Sequence, residues 1–519
     1  MALNPPNRST TALPTTPSRS GITIALACLG AFVSYLPLVG VSAALPILGA
    51  GLHASTSQLQ WITDTFILPT AVLVLTFGTL GERYGRKRIY LTAMTLSCVG
   101  WVVCLTADSV PQLYVGLVLA GMGTAAMMPT TLALVSHARE DHRGRATAIA
   151  LWTGSLGLGL TLGPVFSGLI AEHAQWRWIF LPELVLCALT LAAAAMALTE
   201  VRTERTRHLD VPGQLLAIIG LTGVVFGVIQ GGAAGWGTPA TIIAFVVAVL
   251  ALPAFVVVEL RSPNPMFDVR LFASAAFSGT ALVMTITLFA QVGLVFTLSE
   301  YFGLVRHAST LYIGVLLIAL NGFAVVLGPI LGRMMYRLTP GLVLVAGLGI
   351  GGVAALCMSF IAPDTGTGTA VLFIALFGLG IALALAPITT IAVNSVPPRL
   401  AGTAGSANSA LRQMGSALGP AVFGVVLTNR LLATLPGHLA GSALEPRDRG
   451  MVAGIVSKAG IQAGAFMHLD SGRGTALAHA AYALSFSDAL HICALIAGIG
   501  MLLAGAIALV LIGVRRTRM

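Results

Sequence analysis

The sequence predicts an all-α polytopic membrane protein with fourteen transmembrane helices, and three observations carry that prediction. Composition comes first: 56% of the 519 residues are hydrophobic and only 9% are charged, with a mean hydropathy of +0.92. Soluble domains carry about 25% charged residues, so this chain is too apolar to be one. Span length comes second. A helix needs about 20 consecutive apolar residues to cross a bilayer, and such stretches are centred near residues 33, 70, 98, 124, 158, 188, 220, 249, 286, 320, 351, 380, 415 and 500. The even count puts both termini on one side. The third observation is an internal repeat. Gly121-Met-Gly-Thr-Ala-Ala-Met-Met-Pro-Thr-Thr131 runs on to Gly159-Leu-Thr-Leu-Gly-Pro164, and Gly378-Leu-Gly-Ile-Ala-Leu-Ala-Leu-Ala-Pro-Ile-Thr-Thr390 runs on to Gly415-Ser-Ala-Leu-Gly-Pro420. One hairpin is used twice, in one orientation.

Taken in order, residues 1–20 are rich in Ser, Thr and Pro and carry Arg8 and Arg19. They read as a disordered cytoplasmic tail, because the apolar stretch that follows is a full span and not a signal peptide. Short cytoplasmic loops collect Arg and Lys. Most of the 28 cations fall in that tail, in loops near 85, 140, 205, 266, 336 and 397, and at Arg515, Arg516 and Arg518. The opposite side holds Arg177, Arg306 and the cations of the long segment 429–486. Both termini are therefore expected in the cytoplasm, with the chain multi-pass in the plasma (inner) membrane and the loop 429–486 extracellular.

Other classes are disfavoured by what is missing. The net charge of +10 is dispersed over loops, without a basic face interleaved with aromatics, so no nucleic acid is expected as a partner. Cys28, Cys98, Cys104, Cys187, Cys357 and Cys493 all lie in apolar stretches, without C-x-x-C spacing or neighbouring His, and read as packing residues and not as metal ligands. Gly121-x-Gly123 lies within an apolar helical run with no strand before it, so it is no dinucleotide loop. With no catalytic constellation legible, an enzyme is not expected.

The stretch Phe77–Ile89, F-G-T-L-G-E-R-Y-G-R-K-R-I, is the most specific signal. Its cations Arg83, Arg86, Lys87 and Arg88 fit any positive-inside loop, but Gly78, Gly85 and Glu82 at this spacing do not follow from that rule. The stretch resembles the loop G-x-L-a-D-r-x-G-r-k-r between the second and third helices of the major facilitator superfamily, with Glu82 where the family usually has Asp. Two spans near 220 and 249 open with Asp210-Val-Pro-Gly213 and close with Glu259-Leu-Arg-Ser-Pro-Asn-Pro-Met-Phe-Asp-Val-Arg-Leu-Phe272. That pair and its linker resemble the fourteen-helix drug:proton antiporter subfamily (QacA/EmrB-like), over nearly the whole chain.

The resemblance implies a major facilitator fold: an N-terminal six-helix bundle at 21–200, two additional central helices at 201–262, and a C-terminal six-helix bundle at 263–519. It implies export of a small amphipathic substrate by alternating access, driven by protons and needing no cofactor beyond the proton gradient, by a monomer in the lipid bilayer. An uncoupled facilitator, a lipid-handling transporter on the same fold and a non-transporting membrane sensor stay open as alternatives. Gly159, Gly163, Pro164 and Gly168 look like the family's fifth-helix antiporter motif, with Ser167 in place of one glycine. Glycines four apart also allow generic close helix packing, and the resemblance is what points to efflux. Arg412, Gln413, Gly415, Gly419 and Pro420 are similar to a thirteenth-helix motif, where the Arg either anchors helix ends or lines the path.

A carboxylate within a span is functional by default. Asp64, in Trp61-Ile-Thr-Asp-Thr-Phe66, resembles an acid that many subfamily members carry, and Glu183 is the second candidate for proton coupling. Glu300 is expected near the headgroups. Tyr35, Phe66, Met127, Met128, Trp152 and Phe289 are candidates to line an adaptable apolar cavity, though such residues also serve as plain core. Against the family's patterns, Pro37 stands where the first helix has Asp and Leu117 where the fourth has Arg. The joint loss of two opposite charges reads as a compensated change.

Overall fold

Apolar runs cut by Pro, Gly and capping hydroxyls give a chain of helices. A computed structural model describes residues 17–138, 142–200, 210–262, 265, 268–396, 401–467, 469 and 471–512. Every regular element among them is helical: α1 (Pro17–Ala43), α2 (Leu45–Leu52), α3 (Thr56–Tyr84), α4 (Arg86–Leu105), α5 (Val110–His137), α6 (His142–His173), α7 (Leu181–Ala197), α8 (Val211–Ala234), α9 (Pro239–Arg261), α10 (Ala275–Glu300), α11 (Thr310–Arg337), α12 (Pro340–Met358), α13 (Thr367–Asn394), α14 (Ala401–Ala440), α15 (Pro446–Ala459), α16 (Ala463–Phe466) and α17 (Gly472–Ile507), with short 3-10 and π turns between. Thirteen of the described stretches are long and apolar enough to cross a bilayer. The 29-residue α3, which carries Asp64, makes the fourteenth long helix.

Within a bilayer each helix must satisfy its own backbone, so the ends carry the local signals. Ser55 caps α3 in a reciprocal box with Gln58. Asp210 accepts the Gly213 N–H at 2.9 Å to open α8, and Thr238, Ser274, Thr339 and Ser471 cap α9, α10, α12 and α17.

Packing repeats the sequence duplication. In the first half α1 packs on α6, α5 and α7, α4 on α5 and α7, and α3 on α5; in the second α10 packs on α14, α13 and α17, α12 on α13 and α17, and α11 on α13. The pairs correspond helix for helix, so both halves are one six-helix bundle. They meet along two lines, α6 against α11 and α3 against α14. Helix α8 lies on α3 and α14, while α9 packs on α8 and on the turn Val269–Ala273 and leaves Ile243, Val249 and Leu250 at least 60% exposed, as a lipid-facing helix does.

The segment 429–486, expected as a loop, is largely helical. Helix α14 runs on to Ala440 and α17 begins at Gly472. At 1.5 Å per residue the 40 residues of α14 span about 60 Å, twice the hydrocarbon thickness. Its far end pairs with α17 through His438 Nε2 and Asp488 Oδ2 at 2.8 Å. Leu431, Leu435 and Leu439, spaced by four, are buried together with Val452, Val456 and Ile461. That spacing marks an amphipathic helix too dilute in apolar residues to register as a span. The segment forms a cap on one end of the molecule, opposite the end bearing Arg83, Arg86, Lys87 and Arg88.

Candidate functional site: the seam between the two bundles

The glycine motifs build the seam. On α6, a Cβ at Gly159 would lie 2.6 Å from the Phe32 carbonyl of α1, and one at Gly163 would strike the Leu36 carbonyl. Four residues beyond Pro164, Gly168 presses on Leu311 of α11, in the other bundle. Helix α14 repeats this arrangement. Gly415 and Gly419 lie against Thr285 and Gly293 of α10, and Gly424, four beyond Pro420, presses on Gln60 of α3. Gln60 Nε2 also donates to the Ala421 carbonyl at 3.1 Å. Sequence reading had the first copy and the start of the second; Gly424 and Gln60 were missed, because only the partner helix gives them meaning.

The seam holds a small cluster of Ala31 and Tyr35 of α1, Val74 of α3, Met128 of α5, Leu156 of α6 and Ala410 of α14, with Trp152 packed beside it. Trp152 Nε1 donates to Thr131 Oγ1 at 2.9 Å, which fixes the indole. Arg412 reaches into this cluster from α14. It donates to the Tyr35 hydroxyl, and its guanidinium carbon lies 5.4 Å from the centre of the Tyr35 ring. Gln413 beside it is buried. Tyr35, Met128 and Trp152 thus come together, whereas the other three cavity candidates point elsewhere. Met127 packs under Gly30, Phe66 tilts against Trp101 inside the first bundle, and Phe289 meets Phe423 edge-on between α10 and α14.

Three carboxyl groups are buried. Asp64 is wholly inaccessible, and neither of its oxygens has a hydrogen-bond partner among the described residues. It lies one helical turn inward from Gln60, on the face of α3 turned toward α14. Glu183 is buried in the first turn of α7, close enough to Cys104 of α4 to interact electrostatically. It therefore sits inside the first bundle and not on the seam. Glu300 is also wholly inaccessible, where the headgroup region was expected. The cap explains this: Gln462 Nε2 donates to Glu300 Oε2 at 2.7 Å, Ile461 N–H donates to Thr56 Oγ1 of α3 at 3.2 Å, and the Tyr482 hydroxyl of α17 donates to the Ile461 carbonyl. The strand of chain at 460–464 straps both bundles together. Pro37 and Leu117 are both buried within the first bundle.

At the basic end, Gly85 separates α3 from α4 at φ +101, a conformation that favours glycine. Lys87 N–H donates to Glu200 Oε1 at 3.0 Å, and Lys87 Nζ to the Ala195 carbonyl at 3.1 Å. Glu200 thereby places a carboxylate at the N-terminus of α4, where the helix dipole favours one. Arg86 is buried against Gly81, Arg83 stacks on Tyr84, Arg88 is exposed, and Gly78 lies 3.6 Å from Pro129 on the same Cβ measure. The side chain of Glu82 lies outside the described residues.

A duplicated six-helix bundle whose halves meet along two helix pairs is an architecture of membrane transporters. Residues 27–420 match the Major Facilitator Superfamily, and the chain belongs to that family of multi-pass transporters. It is 32% identical over 435 residues to the multidrug resistance protein Stp of Mycobacterium tuberculosis, covering 84% of this chain and 81% of that one. It is 30% identical to the tetracenomycin C resistance and export protein of Streptomyces glaucescens, covering 94% and 90%. The fold is similar to that of a bacterial homologue of the human lysosomal transporter Spinster, solved inward-facing and unoccupied, with a TM-score of 0.66 at 14% identity over 97% of this chain and 100% of that one.

Proposed function

We propose that this transporter is a proton-coupled exporter of small amphipathic molecules such as drugs, antibiotics or a secondary metabolite. In this reading it belongs to the fourteen-helix drug:proton antiporter subfamily and acts as a monomer in the plasma membrane with both termini cytoplasmic. Bundles at 21–200 and 263–519 rock about the seam, and the pair of helices at 201–262 joins them in the chain. Relatives named for resistance and export support the direction.

The observation that carries proton coupling is Asp64, a buried carboxyl group without a hydrogen-bond partner among the described residues, on the α3 face that meets the other bundle. A group so placed exchanges its proton with water only when that contact opens, which ties protonation to the position of the halves. Glu183 serves this purpose less well, because its neighbours belong to its own bundle. In proteoliposomes given a pH jump, Asp64→Asn is expected to keep substrate exchange down a gradient and lose accumulation against one. Uphill transport equal to the parent's would move the role elsewhere, with Glu183→Gln as the next variant. A parent protein that never accumulates substrate would be an uncoupled facilitator.

A further inference from the structure

Arg412 is a cation within a membrane span, without a carboxylate partner among the described residues. The helix axis puts it about 16 Å from the start of α14, and the ion pairs among the described residues, Arg177 with Asp108 and His438 with Asp488, do not include it. Asp64 is remote. Val74, which shares the Arg412 cluster, lies about 15 Å along α3 from Asp64. A guanidinium has five N–H donors. The Tyr35 hydroxyl takes a single bond from it and the Tyr35 ring lies against it, while the side chain stays only partly buried. Unused donors therefore face the seam beside an apolar wall of Val74, Met128, Leu156 and Trp152.

We propose that Arg412 is the anion-recognising group of the substrate site, and that the exported molecule is an amphipath bearing a carboxylate, sulfonate or comparable oxyanion. The inference rests on the export reading above and names its substrate class. A planar fork suits an oxyanion, which it can grip through two parallel hydrogen bonds. The apolar wall takes the hydrocarbon part of such a molecule. A cationic amphipath would meet an uncompensated positive charge at the same place. Tyr35 is a positioning residue here, holding the guanidinium across the seam from the bundle opposite.

The test compares three ligands on one ring: 1-naphthaleneacetate, its neutral amide and 1-naphthylmethylammonium. Calorimetry on the full chain in nanodiscs of zwitterionic lipid measures each. The acid is expected to bind at least about tenfold more tightly than the amide, as a charge-assisted hydrogen bond implies, and the ammonium ion most weakly. Arg412→Gln should erase the acid-over-amide preference and Arg412→Lys should restore part of it; a purely structural Arg412 would change folding without changing that ratio. If Arg412→Gln does not fold, the acid, amide and ammonium comparison on the parent still decides. Equal binding of acid and amide, tighter binding of the ammonium ion, or no binding of any of the three overturns the proposal. Acid-selective binding without uphill transport in proteoliposomes would leave Arg412 in its role and remove the proton-coupled export reading instead.

Discussion

Gly85 illustrates how much a single position can carry. Its φ of +101 is strained for any residue with a Cβ, and that Cβ would run into the Glu200 carboxylate. Gly85→Ala is expected to lose about 1–3 kcal/mol, seen as a lower melting temperature of the purified protein, and an unchanged melting curve would show that the turn relaxes freely. The glycine was legible in the sequence because a short basic loop with glycines at that spacing is distinctive. Glu200 was not, since it lies 113 residues from its partner Lys87. Arg412 and Tyr35 are 377 residues apart, and neither residue type alone points to the other. Asp64 could be read as an acid within a span, but its lack of a hydrogen-bond partner among the described residues is a property of the packed bundles. Local chemistry reads from sequence, and the pairing of distant side chains does not.

Among the elements, the helical spans were legible because each is a long apolar run, and the cap was not, because its helices bury one narrow stripe. The strap at 460–464 shows what the cap adds. Gln462 is fully buried and is the hydrogen-bond partner of Glu300. Truncating it leaves a buried carboxyl group with no donor, a loss of about 1–3 kcal/mol. Gln462→Ala is expected to lower the melting temperature accordingly and to raise the reactivity of a cysteine placed at Thr56 beneath the strap. A cysteine there that reacts no faster in the variant would mean that the strap is held by its backbone bonds alone.

For the whole molecule, the orientation expected from the distribution of cations, with both termini cytoplasmic, is open to a direct test. With Arg88 and Ser442 replaced singly by cysteine, an impermeant thiol reagent applied to intact cells should label position 442 and spare 88; the reverse pattern would invert the protein in the membrane. A consequence for lipid lies in the placement of α8. It bonds to α3 through Gln214 Nε2 and the Val72 carbonyl at 2.7 Å, sets the Phe226 ring tilted against Trp61 at 6.1 Å between ring centres, and lays Gly232 against Val425 of α14. Of the two lines where the bundles meet, α3 with α14 is thus boarded over from the bilayer side, while α6 with α11 keeps Leu169 and Val315 about half exposed. The α6–α11 line is therefore where we expect a molecule dissolved among the acyl chains to enter when the halves part. A photoreactive lipid-soluble substrate should therefore attach at Leu169 or Val315 and not at Phe226, and attachment at Phe226 would show that the α8 board swings aside during the cycle.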